Sequence, residues 1–337
     1  MRILIIKLGA IGDVIRTTAI LSGLRQKYEG CIIDWVTKNE CFDAIKNNPF
    51  LGDIFIIGRD EKRFAGSNYD LVVCLDDDLE ACALASNTNH KKLIGAYLEN
   101  GERAYTKDSS LWFDMGLLSR YGKQKADQLK AQNKRTYQDM VYEILGIEYQ
   151  KQEPILALDK AEKKFGAQFA RKHAIGKNAV VIGINTGAGG RWEGKKLQIE
   201  KTSELIGKLN FALKGIGARI ILFGGLQERE RNNRIISAVK TDVIDAGCSN
   251  SLMQFASLVD LCTILITSDS LALHIGTALK KKIVAFFCPT SASEIELYSR
   301  GKKIIAKKGC LCCCKQKCDI EPQYDVDEIV EGVKSFL

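Results

Sequence analysis

Long apolar runs are missing from this chain of 337 residues; stretches such as Ile3–Ile6, Ile54–Ile57 and Val284–Phe287 are only strand-sized. A membrane-spanning helix needs roughly 18 apolar residues, so a helical span is excluded. Met1–Lys7 is too short in apolar residues for a secretory signal, and the expected location is cytoplasmic. Concentrated charge of one sign is also missing: 49 Lys and Arg against 41 Asp and Glu leave a net +8. That balance is modest and forms no basic arm, which argues against a nucleic-acid partner. It suits anionic substrates or an anionic neighbouring surface. Compositional bias is lacking as well. At 46% hydrophobic and 27% charged residues, disorder and collagen-like repeats are excluded, and two folded domains are expected. Histidine is rare, with three in all.

Cysteine, by contrast, is plentiful at 12. Cys31, Cys41, Cys74, Cys82, Cys248, Cys262 and Cys288 are scattered, several inside apolar runs. In a reducing compartment they are expected to be small buried hydrophobes. The rest cluster as Cys310-Leu-Cys312-Cys313-Cys314-Lys-Gln-Lys-Cys318. Cys310, Cys313 and Cys318, with Cys312 or Cys314, could ligate zinc or iron–sulfur. Closed zinc sites usually use two separated pairs, and no second pair exists here.

Strand-like runs at Arg2–Lys7, Cys31–Thr37, Ile54–Ile57 and Leu71–Leu75 alternate with helical pattern. Gly9–Asp13 breaks the first run before a helix. Residues 98–150 read as an insertion or the close of the first domain, with a helix over Thr136–Leu145. After a basic, low-apolar segment at Lys160–Lys177, strands recur at Ala179–Ile184, Ala218–Phe223, Thr263–Thr267 and Lys282–Phe287. Helices are expected at Ile199–Leu213 and up to Leu279. This is the rhythm of βαβ units. The expected fold is α/β: two facing Rossmann-like domains with an interdomain cleft, covering 1–165 and 166–320, and a C-terminal helix in 321–337. In such sheets ligands bind beyond the carboxyl ends of the strands.

The motifs sit at those ends. Gly9-x-x-Gly12-Asp13 allows close approach of a ligand to the backbone. It is not the G-x-G-x-x-G of dinucleotide sites, and Asp34 lies inside its strand rather than at the end. Asp13 is either a helix-capping residue or a general base kept ionised by a helix N-terminus. Asn185–Gly190, including Thr186 and Gly187, leads to Arg191, Lys195 and Lys196. Glycine N–H groups and cations there suit a phosphate, although the spacing is not a P-loop; otherwise this is a mobile loop with solvated charges. Ser268-Asp269-Ser270-Leu271 opens a helix carrying His274, and Gly225 with Glu228 forms a third strand-end turn where an acid could meet ribose hydroxyls. Asp76-Asp77-Asp78 has the D-x-D spacing of some metal-holding transferases, against the plainer reading of a solvated acidic loop.

Together these residues resemble the glycosyltransferase family of ADP-heptose:lipopolysaccharide heptosyltransferases (glycosyltransferase family 9). The resemblance rests on Arg2–Arg16, Asn185–Lys196, Leu222–Glu230 and Thr267–Thr290, and the Cys310-x2-Cys313-x4-Cys318 spacing is similar to that of many members. It implies the GT-B fold and an inverting transfer that needs no metal or cofactor. The implied donor is ADP-heptose, the acceptor a lipid-linked glycan, and the location the cytoplasm with peripheral contact at the inner membrane face. Asp13 matches the family's proposed catalytic base. Lys195 matches a donor lysine, and Asp269, Ser270, Leu271 and His274 match the donor's pyrophosphate segment. Glu228, or Gln227, falls at the ribose contact. Leu197 and Gln198 stand where many members have Trp-Pro, and Leu271 replaces a usual Gly. A NAD-dependent oxidoreductase, another nucleotide sugar and a protein acceptor are the alternative readings.

Overall fold

Strand β1 (Arg2–Ile6) is buried from Ile3 onward, as a strand covered on both faces must be. The structure is a computed structural model and describes residues 1–64, 66–190, 192–310, 312–313 and 320–337. The chain divides into two compact units, the first spanning Met1–Ala157 with Ser293–Glu296. Its other strands are β2 (Ile32–Thr37), β3 (Ile54–Ile56), β4 (Asn68–Cys74), β5 (Asn89–Glu99) and β6 (Glu102–Tyr105). They form one sheet in the order β3-β2-β1-β4-β5-β6, parallel except for the antiparallel β5–β6 pair. The helices are α1 (Ile11–Thr17), α2 (Ile20–Lys27), α3 (Asn39–Ile45), α4 (Glu61–Phe64), α5 (Leu79–Asn87), α6 (Ser110–Phe113), α7 (Gly122–Gln132) and α8 (Tyr137–Ile144).

The single helix expected after Asp13 is two. The Thr17 hydroxyl donates to the Asp13 carbonyl at 2.6 Å, and that of Thr18 to Ile15 at 2.6 Å. Such back-bonding competes with the helical ladder. Strands β5 and β6 were hidden in the sequence because β5 opens with exposed Asn89-His90-Lys91-Lys92, which masks any apolar alternation.

The second unit spans Leu158–Ala292 and Leu297–Leu337. It contains α9 (Lys160–Lys172), β7 (Val181–Asn185), α10 (Ile199–Ala212), β8 (Arg219–Phe223), α11 (Arg229–Ala238) and β9 (Ile244–Asp245). These are followed by α12 (Leu252–Asp260), β10 (Ile264–Ser268), α13 (Leu271–Ala278), β11 (Lys282–Phe287), β12 (Gly301–Ile305) and α14 (Val326–Lys334). The sheet runs β12-β11-β10-β7-β8-β9 and is parallel throughout. In both units the chain winds outward from a central first strand in both directions, the doubly wound order of Rossmann folds. The reversal falls between β1 and β4 in one sheet and between β7 and β10 in the other.

The scattered cysteines are all buried and unbridged. Burial pushes the Cys41 thiol up to about 11 and that of Cys262 to about 12, so they pack as neutral groups. Cys310, Cys312 and Cys313 are partly exposed, whereas Cys314 and Cys318 lie outside the described residues. Among the described residues no helix is long and apolar enough to cross a membrane.

Candidate active site

In the first unit the reversal point is closed by a buried ion pair that sequence reasoning missed. Lys7, directly after β1, donates from Nζ to the Asp76 carboxylate beyond the end of β4 and to the Gly9 carbonyl at 2.7 Å. The second Asp76 oxygen accepts the Leu8 N–H and, at 3.4 Å, the Gly9 N–H. Indole Trp35 donates to the Lys7 carbonyl at 3.2 Å. The loop entering α1 is thus fixed at each peptide. Asp78 caps α5 by accepting the Ala81 N–H at 2.8 Å. Asp76 is therefore a buried clamp and Asp78 a half-exposed helix cap. The available signal was a lysine at the end of an otherwise buried strand.

That loop delivers Asp13 in the first turn of α1, where it forms a 2.8 Å ion pair with Arg16 and keeps 35% of its side chain exposed. The Arg16 guanidinium lies 4.1 Å from the Tyr137 ring centroid, and the Tyr137 and Thr17 hydroxyls are 2.8 Å apart. Burial alone would lower the Lys7 ammonium, but the charges of Asp76 and then Asp13 outweigh it and hold its pKa above the ordinary lysine value. Gly12 is buried in α1. A Cβ on Gly9 would meet nothing within 4 Å, so packing does not demand that glycine. Asp34 is consumed inside the sheet. It accepts Arg2 Nε at 2.8 Å, the Asp53 N–H at 3.0 Å and the Tyr69 hydroxyl at 3.3 Å, so it is not placed as a ribose-binding acid.

In the second unit, three loops follow the adjacent strands β10, β7 and β8. Asn185, the last residue of β7, donates from Nδ2 to the Gly187 carbonyl (2.8 Å), Thr267 Oγ1 (3.2 Å) and Ser270 Oγ (3.2 Å). Ser270 precedes α13 but makes no side-chain cap to it; its hydroxyl is turned to Asn185 and Thr267. The first-turn N–H groups of α13, beginning with Leu271, therefore have no side-chain cap, the arrangement that suits an anionic ligand.

Beside that helix start, Lys195 Nζ donates to the Asp269 carbonyl at 2.9 Å and pairs with its carboxylate at 3.0 Å. The ammonium also sits 4.6 Å from the Trp192 ring centroid, and His274 Nε2 is 4.0 Å from the other Asp269 oxygen. Burial works against the Asp269 carboxylate, but Lys195 and then His274 outweigh it and bring its pKa to about 2. Since that is below the unfolded value near 3.9, the unfolded chain binds the extra proton. The resulting contribution, roughly 2–3 kcal/mol, is whole above pH ~5 and drains progressively as pH falls toward about 1. We expect the stability gap between wild type and Asp269→Asn, measured by denaturant unfolding, to be widest at pH 6 and to narrow below pH 4. A gap independent of pH would contradict this assignment.

Glu228 is buried. Its Oε2 accepts the Gly225 N–H at 3.0 Å, and its Oε1 lies 3.1 Å from Lys196 Nζ. The Thr186 hydroxyl turns inward, donating to the Phe223 carbonyl at 3.0 Å and meeting Asn232 Oδ1 at 2.6 Å, so it ties β7 to β8. A Cβ on Gly187 would come within 2.9 Å of Glu228 Oε2. Because Glu228 is held from both sides, Gly187→Ala is expected to displace it and raise the donor KM about tenfold with kcat within twofold. Unchanged steady-state constants would remove Glu228 from donor binding. Asn232 had no motif of its own, and contact across neighbouring elements reveals it; the same contacts give Asn185, Lys196 and Thr267, named above only within longer stretches, their individual partners. Arg191 lies outside the described residues.

Two doubly wound Rossmann-like units, one carrying Asp13 on its first helix and one with a cationic, backbone-rich strand end, are the architecture of the GT-B class. The sequence model of glycosyltransferase family 9 (heptosyltransferase) matches residues 57–324, and the chain belongs to that family. The chain is 22% identical over 338 residues to lipopolysaccharide heptosyltransferase 2 of Escherichia coli strain K12, covering 90% of this chain and 88% of that one. A family 9 glycosyl transferase of Veillonella parvula superposes with a TM-score of 0.78 at 17% identity, covering 99% of this chain and 96% of that chain. The Escherichia coli heptosyltransferase WaaC solved with ADP gives 0.65 at 18% identity, covering 100% of both.

Proposed function

We propose that this protein moves a heptose from ADP-heptose to a hydroxyl of a lipid-linked core glycan, with inversion at the anomeric carbon and peripheral contact with the inner membrane face. The observation that carries the reading is the Lys195–Asp269 pair at the uncapped start of α13, a setting suited to a diphosphate. Relatives bearing the names lipopolysaccharide heptosyltransferase 2 and heptosyltransferase WaaC with ADP support the donor and acceptor classes.

The chemistry follows from those groups. The Asp13 carboxylate takes the proton of the acceptor hydroxyl, whose oxygen attacks the anomeric carbon. The carbon–oxygen bond to the diphosphate breaks with its electron pair on the leaving group, releasing ADP. Lys195 and the N–H groups of Ser270 and Leu271 stabilise the charge that accumulates there. His274 holds Asp269, while Gly187, Gly225 and Glu228 shape the nucleoside end. Thr186 acts through the β7–β8 tie, and Gly9 and Gly12 border the acceptor beside Asp13. Arg191 is a further cation for the diphosphate.

The test is turnover of purified protein with a panel of nucleotide sugars and a heptose-lacking core glycolipid, followed by ADP release and product mass. ADP-heptose should be the preferred donor. Stabilisation by NAD and not by ADP, or preference for another nucleotide sugar, would overturn the assignment.

A further inference from the structure

The basic segment at Lys160–Lys177, which the transfer chemistry leaves unused, is largely the helix α9. Lys160, Lys163, Lys164, Arg171 and Lys172, with Lys177 just beyond, are all exposed. The only acids of the segment are at its start, and both are engaged: Asp159 accepts the Glu162 N–H at 2.9 Å and Glu162 accepts the Asp159 N–H at 2.6 Å, a capping box. Among the described residues no ion pair engages any of these cations. The other surface helices differ. On α10, Lys201 and Lys208 share Glu204 at 2.9 and 3.0 Å; on α14, Lys334 meets Glu331 at 2.6 Å; on α7, Lys123 meets Asp127 at 2.6 Å.

The cations are also aligned. Counting 100° per residue, Lys160, Lys163, Lys164 and Arg171 fall within one side of the helix, a stripe about 16 Å long. The opposite side is docked on α12. There Gly166 lets Ser257 approach, since a Cβ would come within 2.6 Å of its Oγ, and the Ser257 hydroxyl donates to the Glu162 carbonyl at 2.5 Å. Like charges at i, i+3 and i, i+4 destabilise a helix, so the stripe carries a cost that neutral residues would avoid. The stripe side of α9 carries no aromatic or large apolar side chain. It therefore has nothing to stack on nucleic-acid bases and nothing to insert into hydrocarbon.

We propose that the α9 stripe is the surface by which this protein adsorbs to an anionic lipid bilayer, through headgroup charge and without insertion. The partner class rests on the lipid-linked acceptor proposed above; the surface itself rests on charge, alignment and the missing counter-ions. Each cation near an anionic membrane adds a roughly equal increment of attraction, so the loss on reversing several is multiplicative.

The experiment is co-sedimentation of the full chain with vesicles of phosphatidylcholine containing 25% phosphatidylglycerol, and with phosphatidylcholine alone, at 50 and 500 mM NaCl. Wild type should bind the anionic vesicles at low salt, lose most binding at high salt, and ignore the neutral ones. Lys160→Gln, Lys164→Gln and Arg171→Gln combined should weaken binding about 100-fold, and the corresponding Glu variant more, with ADP-induced thermal stabilisation unchanged. Equal binding to neutral vesicles, wild-type binding by the triple variant, or tighter binding to a mixed-sequence RNA at the same salt would each overturn the proposal. Loss of ADP stabilisation in wild type would instead strike the donor reading and leave the vesicle result standing.

Discussion

Asp13→Asn is expected to lower turnover about 1,000-fold, within the range for removing a positioned general base, while ADP affinity stays within about twofold. The substitution is nearly isosteric, and Asn keeps a carbonyl oxygen that can still accept from Arg16, now 2.8 Å from the acid. What disappears is the capacity to take a proton from the acceptor hydroxyl. The side chain belongs to the first unit and is partly exposed, whereas the groups proposed to hold the donor belong to the second, so ADP binding is the control that separates lost chemistry from lost folding. ADP-dependent thermal stabilisation and single-turnover transfer would be measured on the same preparation. Near-normal transfer would remove Asp13 from the mechanism. Loss of ADP stabilisation would point to a structural role instead.

Lys195→Met is expected to reduce kcat about 100- to 1,000-fold, the scale on which a preorganised group facing developing charge acts. KM for the donor should rise less, because charge on the leaving diphosphate is larger in the transition state than in the ground state. The same change leaves the buried Asp269 carboxylate without its 3.0 Å partner, which is strongly destabilising by itself. The double variant Lys195→Met with Asp269→Asn resolves the two effects. Removing both charges should restore much of the unfolding free energy and none of the activity. If stability and activity return together, Lys195 acts only by holding Asp269. If kcat is unaffected in the single variant, it has no part in the transfer.

Much of this was legible in the chain. Buried parallel strands write themselves as short apolar runs, and β1, β2, β7, β8, β10 and β11 were readable within a residue or two. The strand-end motifs around Asp13, Lys195 and Asp269 stood out because glycine, charge and a helix start coincide only where backbone and ligand must meet. Apart from β3, whose apolar run at Ile54–Ile57 marked it, the edge strands were not readable. Strand β12 carries exposed Lys302 and Lys303, and β9 is just two residues long; polar edges lack the apolar signal while protecting against unwanted pairing. Helix α9 was seen only as a basic segment, since charges crowd its sequence and a glycine makes its close approach to Ser257.

Sequence alone determined the class of fold and the family, and it supplied the short list of candidate groups proposed above, because apolar periodicity and strand-end motifs are local properties of the chain. Tertiary structure decided which of those groups are held and by what. Lys7 and Asp76 are 69 positions apart, and Asn185 and Ser270 are 85 apart. Each pair meets only because a doubly wound sheet sets its first and fourth strands side by side. There, strand ends that are remote in sequence share one buried, low-dielectric place, and an unpaired charge would be costly. That adjacency turned Asp76 of an acidic triplet into a clamp and an unremarked lysine into the support of the loop that carries Asp13.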